Sequence, residues 1–351
     1  MSNDTPVRFG VIGYGLFGTH HARSIAEGTD SELVSIAVKS ESSQSKAKEA
    51  HPSTDVVSDY RSLLDRNDIE AVSIVAPNQL HHEIGKAALE AGKHVLLEKP
   101  MALRVDHCDE LIAIAESKGL TLAVGHELRL SSLWGGAKDL IDQGAIGEPM
   151  HALIELSRFP YRQGAEGWRY DIDRVGSWIL EEPIHFFDLA RWYLSSHGDP
   201  TSIYARANSR HADDPRLQDN FSAIMNVGPA YAVVSQTLSA FGHHQTGKIT
   251  GTEGTIWAWW SAADARSDKV QFGLSYGLGD KVTEVSFDKP TGELLELADQ
   301  ITTFAHCVRT GSPPPCTGND GRWSTLLCLA AEQSAATGTL IPINEFIASG
   351  T

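Results

Sequence analysis

The sequence predicts an α/β half followed by an α+β half, and three observations carry that division. From residue 7 to about 125, short β-branched runs alternate with segments of helical spacing, the rhythm of a parallel sheet wrapped on both faces. After about residue 128, strand-like stretches follow one another directly, separated by turn signals, as in an antiparallel sheet. The length of 351 residues also exceeds one ordinary core, since cores stop growing near ~250–300 residues. The expected domains are 1–127 and 128–351.

In the first half, "VRFGVI", "LVSIAV" (33–38), "AVSIVA" (71–76), "HVLLE" (94–98) and "LTLAV" (120–124) read as buried parallel strands. Between them, Leu80, Ile84, Ala87 and Ala91 share one helical face, as do Val105, Cys108, Ile112 and Ala115 further on. The second half opens with a helical segment, "LSSLWGGAKDLIDQG". In the following "EPMHALIELSRF", Met150, Ala152, Ile154 and Leu156 alternate as in a half-buried strand. A helix runs through "IHFFDLARWYL", and Pro183 suits its first turn because the missing N–H is not needed there. Strand-like stretches come next at 201–208, 219–227, 230–240, 247–252 and 255–260. The turns "VGPA" and "GTEGT" join neighbours as antiparallel hairpins. Two helical segments, 293–309 and 319–337, close the chain. The class is a doubly wound parallel sheet followed by an α+β domain on a large, mostly antiparallel open sheet.

Composition narrows the function classes. A formal net charge of −16 argues against nucleic acid, which needs clustered lysine and arginine, and against an anionic membrane surface. No apolar run reaches the ~18–20 residues of a membrane span, and the first residues lack the pattern of a secretory signal. Cys108, Cys307, Cys316 and Cys328 show no C-x-x-C spacing, so reduced, buried thiols are expected. The histidine pairs at 20–21, 81–82 and 243–244 lack a carboxylate or cysteine at ligand spacing, and no metal is expected. The expectation is a cytoplasmic protein.

"VIGYGLFG" carries G-x-G-x-x-G at Gly13, Gly15 and Gly18, with Leu16 and Phe17 between. It follows the first strand and opens a helix, the setting in which such a loop holds a dinucleotide in a Rossmann domain. The first glycine makes the turn, the second lets backbone approach a pyrophosphate, and the third allows close helix–strand packing. An NAD-type site normally has an acid at the end of the second strand. Here "AVKSESS" places Lys39 and Ser40 there, which suit a 2′-phosphate by charge and hydrogen bonding. NADP(H) is favoured and NAD(H) is the alternative; Glu41 nearby keeps the second open.

Three further segments complete a set. "APNQLHHEIGKAALEAGKHVLLEKP" (76–100), "GWRYD" (167–171) and "GSWILEEPIHFFD" (176–188), with the "GTEGT" turn, resemble the signatures of the glucose–fructose oxidoreductase / inositol dehydrogenase / rhizopine-catabolism (Gfo/Idh/MocA) family. The resemblance implies hydride transfer between a secondary alcohol of a sugar, polyol or cyclitol and a nicotinamide. It also implies a homodimer or homotetramer formed through the second sheet. By matching positions, Ala76, Pro77, Asn78 and His81 would line the nicotinamide side. Glu98 and Lys99 would reach cofactor and substrate, and Trp168 and Arg169 would contribute from the second domain.

The chemistry of alcohol oxidation fits these residues. A proton must leave the hydroxyl as the hydride leaves carbon. Lys99 follows a buried strand, at the end where α/β sheets bind ligands, and desolvation there would lower its pKa. His185 has the intrinsic pKa of a base near neutrality, and Glu181, four residues earlier, would orient it or hold a substrate hydroxyl. Tyr161, Arg162 and Trp178 are further candidates for the substrate pocket. The chain departs from the family pattern at Glu181, where aspartate is usual, at Pro183, and at Ser177 and Trp178, where glycines are usual. A glycosidase using transient oxidation and a non-catalytic cofactor-sensing regulator share the fold and stand as alternatives.

Overall fold

The computed structural model describes residues 5–210, 216–264, 267, 269–292 and 295–349. By its internal packing the chain forms two units, Met1–Glu127 with Leu294–Arg322, and Leu128–Glu293 with Trp323–Thr351.

The first unit is built on six parallel strands: β1 (Val7–Ile12), β2 (Ser31–Ala37), β3 (Asp55–Val57), β4 (Ala71–Ile74), β5 (His94–Glu98) and β6 (Leu122–Gly125). Their order is β3-β2-β1-β4-β5-β6. The connecting helices are α1 (Leu16–Glu27), α2 (Glu41–Ala50), α3 (Tyr60–Leu64), α4 (His81–Glu90) and α5 (Val105–Lys118). Such strands must be apolar on both faces, and the core divides accordingly. Val7, Phe9 and Val11 of β1 pack with Ala22 and Ile25 of α1. Val72, Val95 and Leu97 pack with Ile84, Cys108 and Leu111 of α4 and α5. The strand order reverses between β1 and β4, which puts a ligand crevice at the carboxyl ends of the central strands.

The second unit carries helices α6 (Trp134–Asp142), α7 (Ile172–Val175), α8 (Trp178–Glu181) and α9 (Pro183–Tyr193). Its sheet runs from β7 (Pro149–Arg158) through β8 (Ser202–Asn208), β9 (Asn220–Val227), β10 (Ala230–Thr237), β11 (His243–Gly251), β12 (Gly254–Ala262), β13 (Gln271–Leu278) and β14 (Lys281–Glu284) to the short β15 (Ile341–Pro342). The spatial order is β14-β13-β12-β11-β7-β10-β9-β8-β15. The β9–β10 and β11–β12 hairpins are antiparallel, as the turn sequences predict. The β7–β10 pair is parallel, and the other pairs of this sheet are antiparallel among the described residues. Helices α6 and α9 lie against one face. The other leaves Ile224, Tyr231, Trp257 and Trp259 exposed.

The chain ends with α10 (Glu296–Thr310), α11 (Gly318–Thr337) and α12 (Ile343–Ala348). Helix α10 belongs to the first unit, where Ile301, Phe304 and Ala305 complete the cluster around Phe9. Strands β13 and β14 escape a reading by periodicity because β13, "QFGLSYGL", holds two glycines. Its pairing with β12 supplies what the glycines lack. Gly273 stands opposite Trp259, whose indole occupies the place a side chain would take.

Candidate active site

In the first unit the glycine loop meets its steric requirements. Gly13 has φ of +100°, and a Cβ there would come within 2.3 Å of the Val75 carbonyl oxygen. A Cβ on Gly18 would lie 2.3 Å from the Gly13 oxygen, so the third glycine permits the close approach of α1 to the turn. Gly15, at the N-cap of α1, would meet nothing within 4 Å and gives the helix no side-chain cap. The amino end of a twelve-residue helix therefore opens onto free space, a fit for a pyrophosphate. Leu16 is exposed and Phe17 half-buried beside it.

At the end of β2, Lys39 and Ser40 are both exposed. The Ser40 hydroxyl accepts from the Ser43 N–H at 3.2 Å and so caps α2. Ala76 and Pro77 follow β4, and Asn78 is buried in a short turn of helix before His81.

The Lys99 peptide is held from both sides. Glu98 is buried, and its Oε2 accepts from the Lys99 N–H at 3.2 Å. His81 is buried, with Nδ1 at 2.7 Å from the Pro100 oxygen and Nε2 at 2.8 Å from the Ala76 oxygen. Only a doubly protonated ring donates to both carbonyls, which pull its pKa upward, yet burial outweighs them and holds it below the ordinary histidine range. The Lys99–Pro100 bond is cis, and the Lys99 side chain is half-buried just past the carboxyl end of β5.

In the second unit, Glu181 and His185 are buried near the junction of α8 and α9, and Pro183 occupies the first turn of α9 as predicted. Glu181 Oε1 accepts from Arg169 Nε at 2.5 Å. Burial opposes the charge on Arg169, but Glu181 outweighs it and the arginine pKa is raised. The guanidinium also lies 4.7 Å from the centre of the Trp168 ring. Glu181, which the sequence offers as an orienter of His185 or a partner for a substrate hydroxyl, is thus bound to Arg169. Asp188, one turn beyond His185, accepts a two-pronged pair from Arg129 at 2.7 Å each and a hydroxyl from Ser324 at 3.2 Å.

The three pocket candidates have different surroundings. Trp178 is fully buried between Tyr161 and Tyr170, and its indole N–H donates to the Arg169 carbonyl at 2.8 Å. It packs the wall behind Arg169. Tyr161 is buried and donates to Gln236 at 2.8 Å, while burial and then Glu182 push its phenol well above the ordinary range. Arg162 is exposed and pairs with Asp264 at 2.9 Å. Beneath them, Glu182 pairs with Arg158, and His243 Nε2 lies 3.2 Å from its Oε1.

A half-buried acid on α11 adds to this region. Glu332 accepts from the Ser177 hydroxyl, which itself caps α8, and its Oε1 is buried with no hydrogen-bond partner among the described residues. Burial pushes this carboxyl up to about 7. Its folded pKa is thus raised above the unfolded one, so its stabilising contribution is complete below the unfolded pKa. It is lost as pH rises through about 7. Glu332→Gln, neutral throughout, should therefore gain on the parent between pH 5 and pH 8, by on the order of 3 kcal/mol in urea unfolding. An unfolding difference independent of pH would sink this assignment.

A family model described as the oxidoreductase family, NAD-binding Rossmann fold, matches residues 7–126, and the GFO/IDH/MocA C-terminal domain matches residues 135–257. The chain belongs to the Gfo/Idh/MocA oxidoreductase family. It is 30% identical over 344 residues to the uncharacterized oxidoreductase YrbE of Bacillus subtilis, covering 95% of this chain and 96% of that one. It is 26% identical over 340 residues to a D-xylose 1-dehydrogenase [NADP(+)] of Haloarcula marismortui, covering 91% and 88%. Among solved structures, a levoglucosan dehydrogenase in complex with NADH and levoglucosan superposes with a TM-score of 0.82 at 22% identity, covering 97% of this chain and 100% of that one. That likeness concerns the fold. No helix among the described residues of this oxidoreductase is long and apolar enough to cross a membrane.

Sequence reasoning missed Arg129, His21 and Ser73. No spacing pointed to Arg129, since its partner Asp188 lies far along the chain. His21 carried a signal in hindsight: a histidine on the buried face of α1 needs a polar partner.

Proposed function

We propose that this family member oxidises a secondary alcohol of a sugar, polyol or cyclitol, or reduces the corresponding ketone, with NADP(H) preferred over NAD(H). The observation that carries the reading is Lys99, whose backbone is pinned on both sides at the carboxyl end of β5. A lysine held so firmly at the ligand-binding end of a parallel sheet suits a reacting oxygen better than a solvated loop does.

Gly13, Gly15, Leu16, Phe17 and Gly18 would hold the dinucleotide pyrophosphate, with Ala76, Pro77, Asn78, Trp168 and Arg169 along the rest. The nicotinamide, when bound, supplies a hydride acceptor or donor. Lys99 donates a hydrogen bond to the substrate oxygen and steadies negative charge developing there. His185 accepts the hydroxyl proton on a ring nitrogen in the oxidation and returns it in the reduction. Glu181 fixes Arg169, whose cation lies over Trp168. Lys39, at the end of β2 where an acid is usual, favours a 2′-phosphate. The exposed apolar face of the second sheet suits contact with another copy of the chain.

A matrix of NAD⁺ and NADP⁺ against sugars, cyclitols and sugar acids, followed by nicotinamide absorbance, tests the reading. Reduction of NADP⁺ with at least one polyol or sugar is expected, and Lys39→Asp should move the preference toward NAD⁺. Better turnover with NAD⁺ in the parent enzyme would refute the cofactor assignment. Net hydrolysis of a glycoside without reduced cofactor accumulating, or binding without turnover, would refute the reaction.

A further inference from the structure

A second buried histidine stands behind Lys99. His21 of α1 and Ser73 of β4 have no exposed surface, and Glu98 is nearly as deep. Ser73 Oγ lies 2.8 Å from His21 Nδ1, and His21 Nε2 lies 3.1 Å from Glu98 Oε1. The other Glu98 oxygen accepts from the Lys99 N–H. The pattern closes with the ring proton on Nε2: Ser73 donates to Nδ1, Nε2–H donates to Glu98, and Lys99 N–H donates to the same carboxylate. Room for that carboxylate comes from β6. Gly125 is paired with Glu98, and a Cβ there would stand 2.5 Å from Glu98 Oε1.

We propose that His21 is a positioning residue for Lys99, acting through Glu98. The proposal rests on Lys99 being the group that meets the substrate oxygen. A carboxylate beside a strand end has several rotamers, and only one places an oxygen on the following N–H. His21 selects that rotamer from one side and Gly125 leaves space for it from another. Ser73 selects the ring tautomer that donates to Glu98. Because His21 lies on the helix that begins at the glycine loop, with the Phe17 ring 5.4 Å from it, one helix carries both the dinucleotide grip and the tie to Lys99. A purely structural histidine would need no such alignment of three acceptors and donors ending on the Lys99 backbone.

The test uses the full chain with ¹⁵N-lysine labelling and two readouts, hydrogen exchange of the Lys99 amide and kcat on a substrate from the panel. His21→Leu should speed exchange at Lys99 by about tenfold, the weight of one hydrogen bond, and leave other labelled amides unchanged. It should lower kcat by roughly ten- to a hundredfold with KM little altered, the range expected for a hydrogen bond to a charged group. His21→Gln, whose amide still donates to Glu98, should recover most of both losses. Ser73→Ala should move them the same way but less, and serves if His21→Leu does not fold. In a Lys99→Ala background, His21→Leu should change residual kcat no further. Unchanged Lys99 exchange, or the same proportional loss in the Lys99→Ala background, would overturn the positioning role. Full turnover by Lys99→Ala alone would instead remove the catalytic reading, while the exchange result would still decide whether His21 holds the Lys99 backbone.

Discussion

Lys99→Ala is expected to lower kcat by about 10²- to 10³-fold, the usual weight of a positioned donor to charge developing on the reacting oxygen. The side chain stands just past the carboxyl end of β5, on backbone fixed by Glu98 and His81, so its loss removes a donor from a fixed point of the chain. Dinucleotide affinity, read by quenching of protein fluorescence, should change only a few-fold, because the glycine loop and α1 are untouched. His185→Ala should produce a loss of similar size. The double variant should fall well short of the product of the two, since groups serving one transition state do not act independently. Full turnover in either single variant would contradict the assignment. A large rise in KM with unchanged kcat would make Lys99 a binding group instead.

Arg129→Leu is expected to destabilise the protein by about 3–5 kcal/mol, the loss seen when one member of a buried ion pair is removed. The side chains of Arg129 and Asp188 are only 3% and 2% exposed, and two bonds of 2.7 Å join them. Without the guanidinium, the Asp188 carboxylate is left in the interior with its charge unbalanced. Asp188 sits one turn after His185 on α9, so the same substitution should also lower kcat. Arg129→Leu combined with Asp188→Leu should regain much of the stability, since an apolar pair of similar volume removes the buried charge. Urea unfolding decides the matter. A single-variant loss under about 1 kcal/mol would mean that the pair does not anchor α9.

Much of the first unit was legible because its signals are local. Five of its parallel strands are short apolar runs and the glycine loop is contiguous, while the three-residue β3 is too short to read; in the second unit Pro183 announces the start of α9 within one turn. The second sheet was legible only hairpin by hairpin. The parallel joining of β7 to β10 depends on residues some eighty positions apart, which no local period encodes. Strand β13 was missed because glycines lower intrinsic strand preference, and its support comes from Trp259 across the ladder, while β14 is only four residues and pairs with β13. At the site, the residue types were readable and their partners were not. The bond from Arg169 to Glu181, the cap that Ser40 gives α2 and the burial of Trp178 between two tyrosines were not readable. A side chain's chemistry is written at its own position, whereas the atom it faces is set by packing between distant segments.

The placement of α10 bears on how the chain is made. Phe304 seats against Phe9, and Arg309 reaches Glu70 at 2.6 and 3.0 Å and the carbonyl of Pro6 at 2.8 Å. During synthesis the parallel sheet emerges before α10, so part of one of its apolar faces stays uncovered until α10 has been made. That interval exposes Val7, Phe9 and Ile36 to whatever is nearby, a hazard that chaperones relieve. The sheet and α10 therefore mature together, and a nascent chain released before α10 would lack the plug that finishes this cluster.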